Sequence, residues 1–258
     1  MDVPAPLKAV KLNRFLPYWA VLQADLKQAL SSWIYRVWVL VSLGAAVGYL
    51  LYRFGAKQVG GFVQPAPEMI SDLLNWVAFG SVTLVIVLTS GAICSERGTM
   101  ADSVLSRGIS RYQYFLGKWH ARLALVLGTF FVIALLALIG SLFMLHSDSL
   151  SLAGSAIALA TVAALLVMVI TCGVTVSALS SNTVVSIAIV WMVLYSAGFA
   201  LSLLPESYPS PDRALQALPR VLKGLYDWQM VSRLISGALA LSLLVALGGM
   251  IGFSRRDV

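Results

Sequence analysis

Apolar residues run along this chain in long blocks separated by short polar interruptions. A helix crosses a hydrocarbon core about 30 Å thick with roughly 20 apolar residues. Six blocks fit that requirement: Val37–Tyr52, Leu73–Cys94, Leu123–Leu145, Leu152–Leu179, Val184–Leu204 and Leu234–Phe253. The first is short and extends back through Trp33 and Ile34 to a span near 34–53, with Arg36 snorkelling to the interface. The pattern predicts an all-α integral membrane protein with six transmembrane helices in one domain, residues 1–258. His146–Ser151 and Ser180–Thr183 are short enough to be tight turns between antiparallel neighbours, whereas 54–72 and 205–230 are longer and carry Pro and Gly. A polar stretch, Ser95 to Arg122, separates the second and third blocks.

Ahead of the first block, Trp19, Leu22, Leu26, Leu30 and Trp33 recur at helical spacing. Asp25, Lys27, Gln28 and Ser31 are expected on the other side. Residues 15–33 therefore predict an amphipathic helix in the plane of the membrane interface, the alternative being a soluble helix packed on a partner. About thirty polar and amphipathic residues precede the first apolar run, so no signal peptide is expected.

Composition agrees with the pattern: 59% of residues are hydrophobic and 11% charged, against about a quarter charged in soluble domains. Charge then sets the orientation. Cytoplasmic loops carry the excess of Lys and Arg. With both termini inside, the inside bases are Lys8, Lys11, Arg14, Lys27, Arg36, Arg97, Arg107, Arg111, Lys118, Arg122, Arg255 and Arg256. Set against Asp2, Asp25, Glu96, Asp102 and Asp257, they account for the whole net charge of +7, and the outside loops balance to zero. The basic character is thus a topology signal, and no nucleic-acid partner is needed to explain it.

Reactive constellations are missing from the pattern. His120 and His146 fall at opposite membrane faces and cannot share a metal. His146, Ser147 and Asp148 are adjacent in one turn, which is the wrong arrangement for a triad assembled in space. Gly117-Lys118 is followed by Trp119 and does not fit the phosphate loop G-x-x-x-x-G-K-S/T. No catalytic residue and no metal site are expected, and the chain alone is not expected to be an enzyme. Cys94 and Cys172 read as reduced packing residues, since neither falls in an exterior loop where a disulfide would persist.

The polar stretch carries two successive caps. Thr99 followed by Asp102 predicts a short helix from Met100, ending before Gly108; Ser110 followed by Gln113 predicts a second, leading into the third span. Two readings stay open. Arg97, Arg107, Arg111, Lys118 and Arg122 would anchor the loop to anionic headgroups. Alternatively, the two helices form a shelf for a cytoplasmic partner, which accounts better for the caps and for Glu96 and Asp102.

The run Ser95-Glu96-Arg97-Gly98-Thr99, followed by Leu105-Ser106-Arg107, Ser110-Arg111 and Gly117-Lys118, resembles the signature loop of permease subunits of type-2 ABC transporters. The ending Phe253-Ser254-Arg255-Arg256-Asp257-Val258 is similar to the Phe-x-x-Arg-Asp-Ile/Val tail common in that family, and the six-span layout matches over the whole chain. Gly108 stands where the family often has Pro, and Asp102-Ser103-Val104 replaces a more usual Glu-Leu-Leu. The resemblance implies an inner-membrane subunit paired with a second permease copy or paralogue. Separate cytoplasmic ATPase subunits would carry ATP and Mg and dock on a coupling loop, residues 95–118, through Glu96, Arg97, Gly98, Thr99, Asp102, Leu105 and Arg107. It favours an exporter; the alternative is a mechanical transmitter acting on an exterior or membrane protein without moving a solute.

Gly44 and Gly48 form G-x-x-x-G in the first span, and Gly248 and Gly252 do so in the sixth; both permit close helix contact. Thr83, Thr89 and Ser90, with Thr171, Thr175 and Ser177, are candidate pathway hydroxyls, although such groups more often bond their own backbone. The exterior stretch Arg213–Trp228, with Leu215, Leu218, Val221, Leu222 and Leu225 about Pro219, predicts a re-entrant or interfacial hairpin.

Overall fold

The computed structural model describes residues 15–60, 65–96, 109–145, 150–205, 208 and 210–255. Among the described residues every regular element is helical: α1 (Leu16–Ser31), α2 (Trp33–Gly60), α3 (Ala66–Ser90), α4 (Arg111–Leu145), α5 (Leu152–Leu179), α6 (Thr183–Ser202), α7 (Pro211–Gln216), α8 (Leu218–Leu222) and α9 (Trp228–Ser254), with a 3-10 turn at Cys94–Glu96. Six of these helices, α2, α3, α4, α5, α6 and α9, are long and apolar enough to cross a membrane.

α5 is apolar all round, as a core helix or a membrane span is. It is the hub of the bundle: Ala158, Val162, Ile170, Val174 and Ala178 have no exposed surface. α9 runs along it through small residues. A Cβ on Gly249 would stand 2.6 Å from Cγ2 of Thr175, and one on Gly252 would stand 2.7 Å from Cδ2 of Leu179. The expected Gly248/Gly252 pair is therefore replaced by Gly249/Gly252, the pair whose spacing faces α5; Gly248 looks onto open space. A Cβ on Gly44 or Gly48 would also meet nothing within 4 Å, so among the described residues nothing packs closely on that face of α2.

Caps, rather than the ends of the apolar blocks, set the helix boundaries. Gln113 N–H donates to Ser110 Oγ and Ser110 N–H donates to Gln113 Oε1, both at 3.2 Å, so α4 starts at Arg111 instead of Leu123. This is the predicted capping box, but it opens one unbroken helix; residues 111–118, expected in the coupling loop, belong to α4. Asp227 Oδ1 accepts from Gln229 N–H at 2.9 Å and starts α9 at Trp228 instead of Leu234. α2 runs on to Gly60, past the expected end near residue 53, and α3 stops at Ser90, short of Cys94.

At the end of the bundle away from Glu96, α7 and α8 fold back onto the ends of α3 and α5. Leu215, Leu218, Val221 and Leu222 are buried there, whereas Leu225, expected on the same apolar face, is 69% exposed. Gly154 allows this approach, because a Cβ on it would collide with the Val221 carbonyl, and Gly224 (φ +82°) turns the chain beyond α8. The Arg213 guanidinium donates to the carbonyls of Leu204 at 2.7 Å and Pro205 at 2.8 Å, closing the end of α6.

Candidate functional site: a buried charge cluster

α1 lies against α4 where α4 has no side chain: a Cβ on Gly117 would stand 2.8 Å from Cγ1 of Val21. One turn further along α1, this approach sets Asp25 over Lys118 and Arg122. Lys118 Nζ donates to Asp25 Oδ1 at 2.7 Å and to Glu96 Oε1 at 2.5 Å. Arg122 Nη2 donates to Asp25 Oδ1 at 3.1 Å, and Tyr114 O–H donates to Glu96 Oε2 at 2.6 Å. Tyr114, Lys118 and Arg122 occupy one stripe of α4 at four-residue spacing. The side chain of Asp25 has no exposed surface and that of Lys118 only 4%. Two acids and two bases make the cluster neutral, as burial requires.

Glu96 is presented by a turn fixed from α5. Ser177 Oγ accepts from the N–H groups of Ile93 and Cys94, at 3.0 Å each, and Ser95 Oγ donates to the Gly91 carbonyl at 2.6 Å. From the chain's other end, the Phe253 ring stacks on Tyr114 with centroids 6.1 Å apart, and Arg111 Nη1 donates to the Ser254 carbonyl at 3.1 Å. Five segments remote in sequence thus meet beside Glu96, immediately before residues 97–108.

Asp25 is turned from Trp19, Leu30 and Trp33, as the spacing predicts, but it lies in a buried stripe with Val21 and Ala29, while those three apolar residues are exposed. The cause is α4, whose two cations make this the acceptable side for a carboxylate. Lys118 and Arg122 in turn are not free headgroup anchors, because both are buried against Asp25. Asp25, Tyr114, Lys118 and Arg122 were not identified as site residues from the sequence. The available signal was the Tyr114, Lys118, Arg122 spacing just ahead of an apolar run, together with the single acid of α1.

Of the predicted docking residues, Glu96 is placed at the cluster. Arg97, Gly98, Thr99, Asp102, Leu105 and Arg107 lie outside the described residues, as does the helix expected from Met100. Among the candidate pathway hydroxyls, Thr83 is exposed, whereas Thr89 and Ser90 are fully buried. Thr89 donates to the Val85 carbonyl and presses on Gly173, Thr171 donates to the Val167 carbonyl, and Thr175 reaches across to the Val245 carbonyl of α9. Cys94 and Cys172 are both free and buried.

The charged groups bond to one another and tie α1, α4 and the turn at Cys94–Glu96 together. Removing one partner of such a buried pair leaves an uncompensated charge, at a cost of about 3–5 kcal/mol. The chain matches no protein-family model and no curated protein.

Proposed function

We propose that this chain is the membrane-spanning subunit of an ATP-driven type-2 ABC transporter, an exporter of the inner membrane, working as a dimer with a separate cytoplasmic ATPase. One observation carries the reading. The stretches that bear the resemblance, Ser95-Glu96, Ser110-Arg111, Gly117-Lys118 and Phe253-Ser254, are spread over the chain yet gather in one cluster with α1. A loop that receives force needs a stiff root, and Glu96 bonded to Lys118 and Tyr114 is one. Displacement of residues 97–108 by the closing ATPase passes from Glu96 to α4 directly and to α1 through the Lys118–Asp25 pair. On this reading the ATPase docks through Arg97, Gly98, Thr99, Asp102, Leu105 and Arg107. The charge distribution supports both termini inside. The exposed Trp19, Leu30 and Trp33 suit α1 to the inner interface.

Reconstitution tests this. The purified chain alone is expected to hydrolyse no ATP; vesicles holding it with its ATPase should accumulate solute on adding ATP. Glu96→Lys should insert normally yet weaken assembly or uncouple hydrolysis from transport. If co-purification and ATPase stimulation are unchanged for both Glu96→Lys and Leu105→Asp, the loop has no part in coupling.

A further inference from the structure

The geometry points to a binding site for one anionic glycerophospholipid in the angle between α1, α2 and α4. α1 and α2 are separate helices because Ser32 breaks the helix with an extended conformation (φ −66°, ψ 137°). Two adjoining hollows lie in that angle and share Leu26 and Leu30. One, of about 360 Å³, is flanked by Lys27 and Arg36 and contains no acidic residue. Neither cation makes an ion pair among the described residues, and both are exposed. The other hollow, of about 280 Å³, is a groove walled by Val39, Leu43, Gly128 and Val132.

The groove suits an acyl chain. Its polar groups are already satisfied: Tyr35 O–H and Thr129 Oγ1 share a hydrogen bond at 2.9 Å, and Thr129 donates to the Leu125 carbonyl. Tyr35, Val39 and Leu43 follow one another at four-residue spacing, a run of about 12 Å along α2. That approaches the depth of one leaflet, half of a hydrocarbon core about 30 Å thick. A Cβ on Gly128 would meet nothing within 4 Å, so α4 leaves the groove open where a side chain would fill it. Trp33, 78% exposed at the start of α2, marks headgroup depth as interfacial tryptophans do. A cationic mouth leading into an apolar trough that runs along a spanning helix matches an amphiphile with an anionic head and a long tail. The phosphate lies between Lys27 and Arg36, and one acyl chain lies over Gly128. This inference requires only that α2 crosses a bilayer, so it stands or fails separately from the transporter reading.

Native mass spectrometry of the full chain in mild detergent tests it, using phosphatidylglycerol and phosphatidylcholine with identical acyl chains. The unaltered chain should retain phosphatidylglycerol preferentially. Lys27→Gln and Arg36→Gln should each weaken that lipid about five-fold and leave phosphatidylcholine unchanged. Gly128→Leu should reduce both lipids, and Leu43→Trp should do the same from the facing helix. Equal retention of the two lipids overturns the headgroup assignment, as does undiminished phosphatidylglycerol binding by the double glutamine variant. Unchanged binding in both groove variants, or a second copy of the chain covering this face with no lipid bound, overturns the site.

Discussion

Asp25 accepts from two cations through one oxygen, Oδ1, with its side chain wholly buried. Glu96 is 13% exposed at its side chain and binds one of the same cations together with a neutral tyrosine. The two carboxylates should therefore respond differently when neutralised. Asp25→Asn leaves two buried cations without their shared counter-charge and is expected to cost about 3–5 kcal/mol. Glu96→Gln keeps an acceptor for Tyr114 and leaves Lys118 paired with Asp25, so about 1.5–3 kcal/mol is expected, the worth of a charged hydrogen bond. Thermal unfolding in detergent should rank Asp25→Asn below Glu96→Gln; the reverse order would show that Asp25 is not the keystone. Asp25 was hard to read in the sequence because its partners lie over ninety residues away. Within α1, apolarity alone favours the Trp19, Leu22, Leu26, Leu30 side, and Asp25 sits on the neighbouring stripe. Glu96 and Lys118 both stand in the polar stretch singled out in the sequence, Lys118 there as an expected headgroup anchor, and no spacing rule says that they touch.

Helices were legible where a local rule decides them. Apolar blocks locate all six long helices, and Ser110 with Gln113 announces the start of α4. The apolar block alone places that start too late, at Leu123, because α4 begins in polar sequence that α1 covers. The two devices holding that region are separable by mutation. Ser110→Ala removes the hydroxyl that accepts from Gln113 N–H and should cost about 1 kcal/mol. Hydrogen exchange should then rise at 111–114 while the rest of α4 stays protected. Gly117→Leu acts on packing instead: its side chain occupies the space of Val21 and must lift α1 from α4. That variant should expose Asp25, Lys118 and Arg122 to water and make α1 accessible to protease. Unaltered protection of α1 would mean that the helix is held by something other than its seat on Gly117.

At the scale of the molecule, the two ends of the bundle are built differently, and the difference bears on orientation. One end holds the buried cluster, the root of residues 97–108 and the close of α9; the other is capped by α7 and α8. Burial of Lys118 and Arg122 against acids weakens the simplest form of the charge argument, since paired cations contribute little field. The remaining inside bases still decide it: Lys8, Lys11, Arg14, Lys27, Arg36, Arg97, Arg107, Arg111, Arg255 and Arg256 exceed Asp2, Asp102 and Asp257 outside the cluster. The bias thus survives removal of the paired groups, and the cluster end is predicted to face the cytoplasm. Cysteine labelling in intact cells provides the check, with little background, because Cys94 and Cys172 are both buried. Leu225→Cys is the exterior probe: Leu225 is 69% exposed beside α8, whereas Ser210 is 2% exposed and caps α7. An impermeant maleimide should modify Leu225→Cys in intact cells and should reach Ser106→Cys only after permeabilisation. Modification of Ser106→Cys from outside would invert the orientation and leave residues 97–108 beyond the reach of any cytoplasmic ATPase.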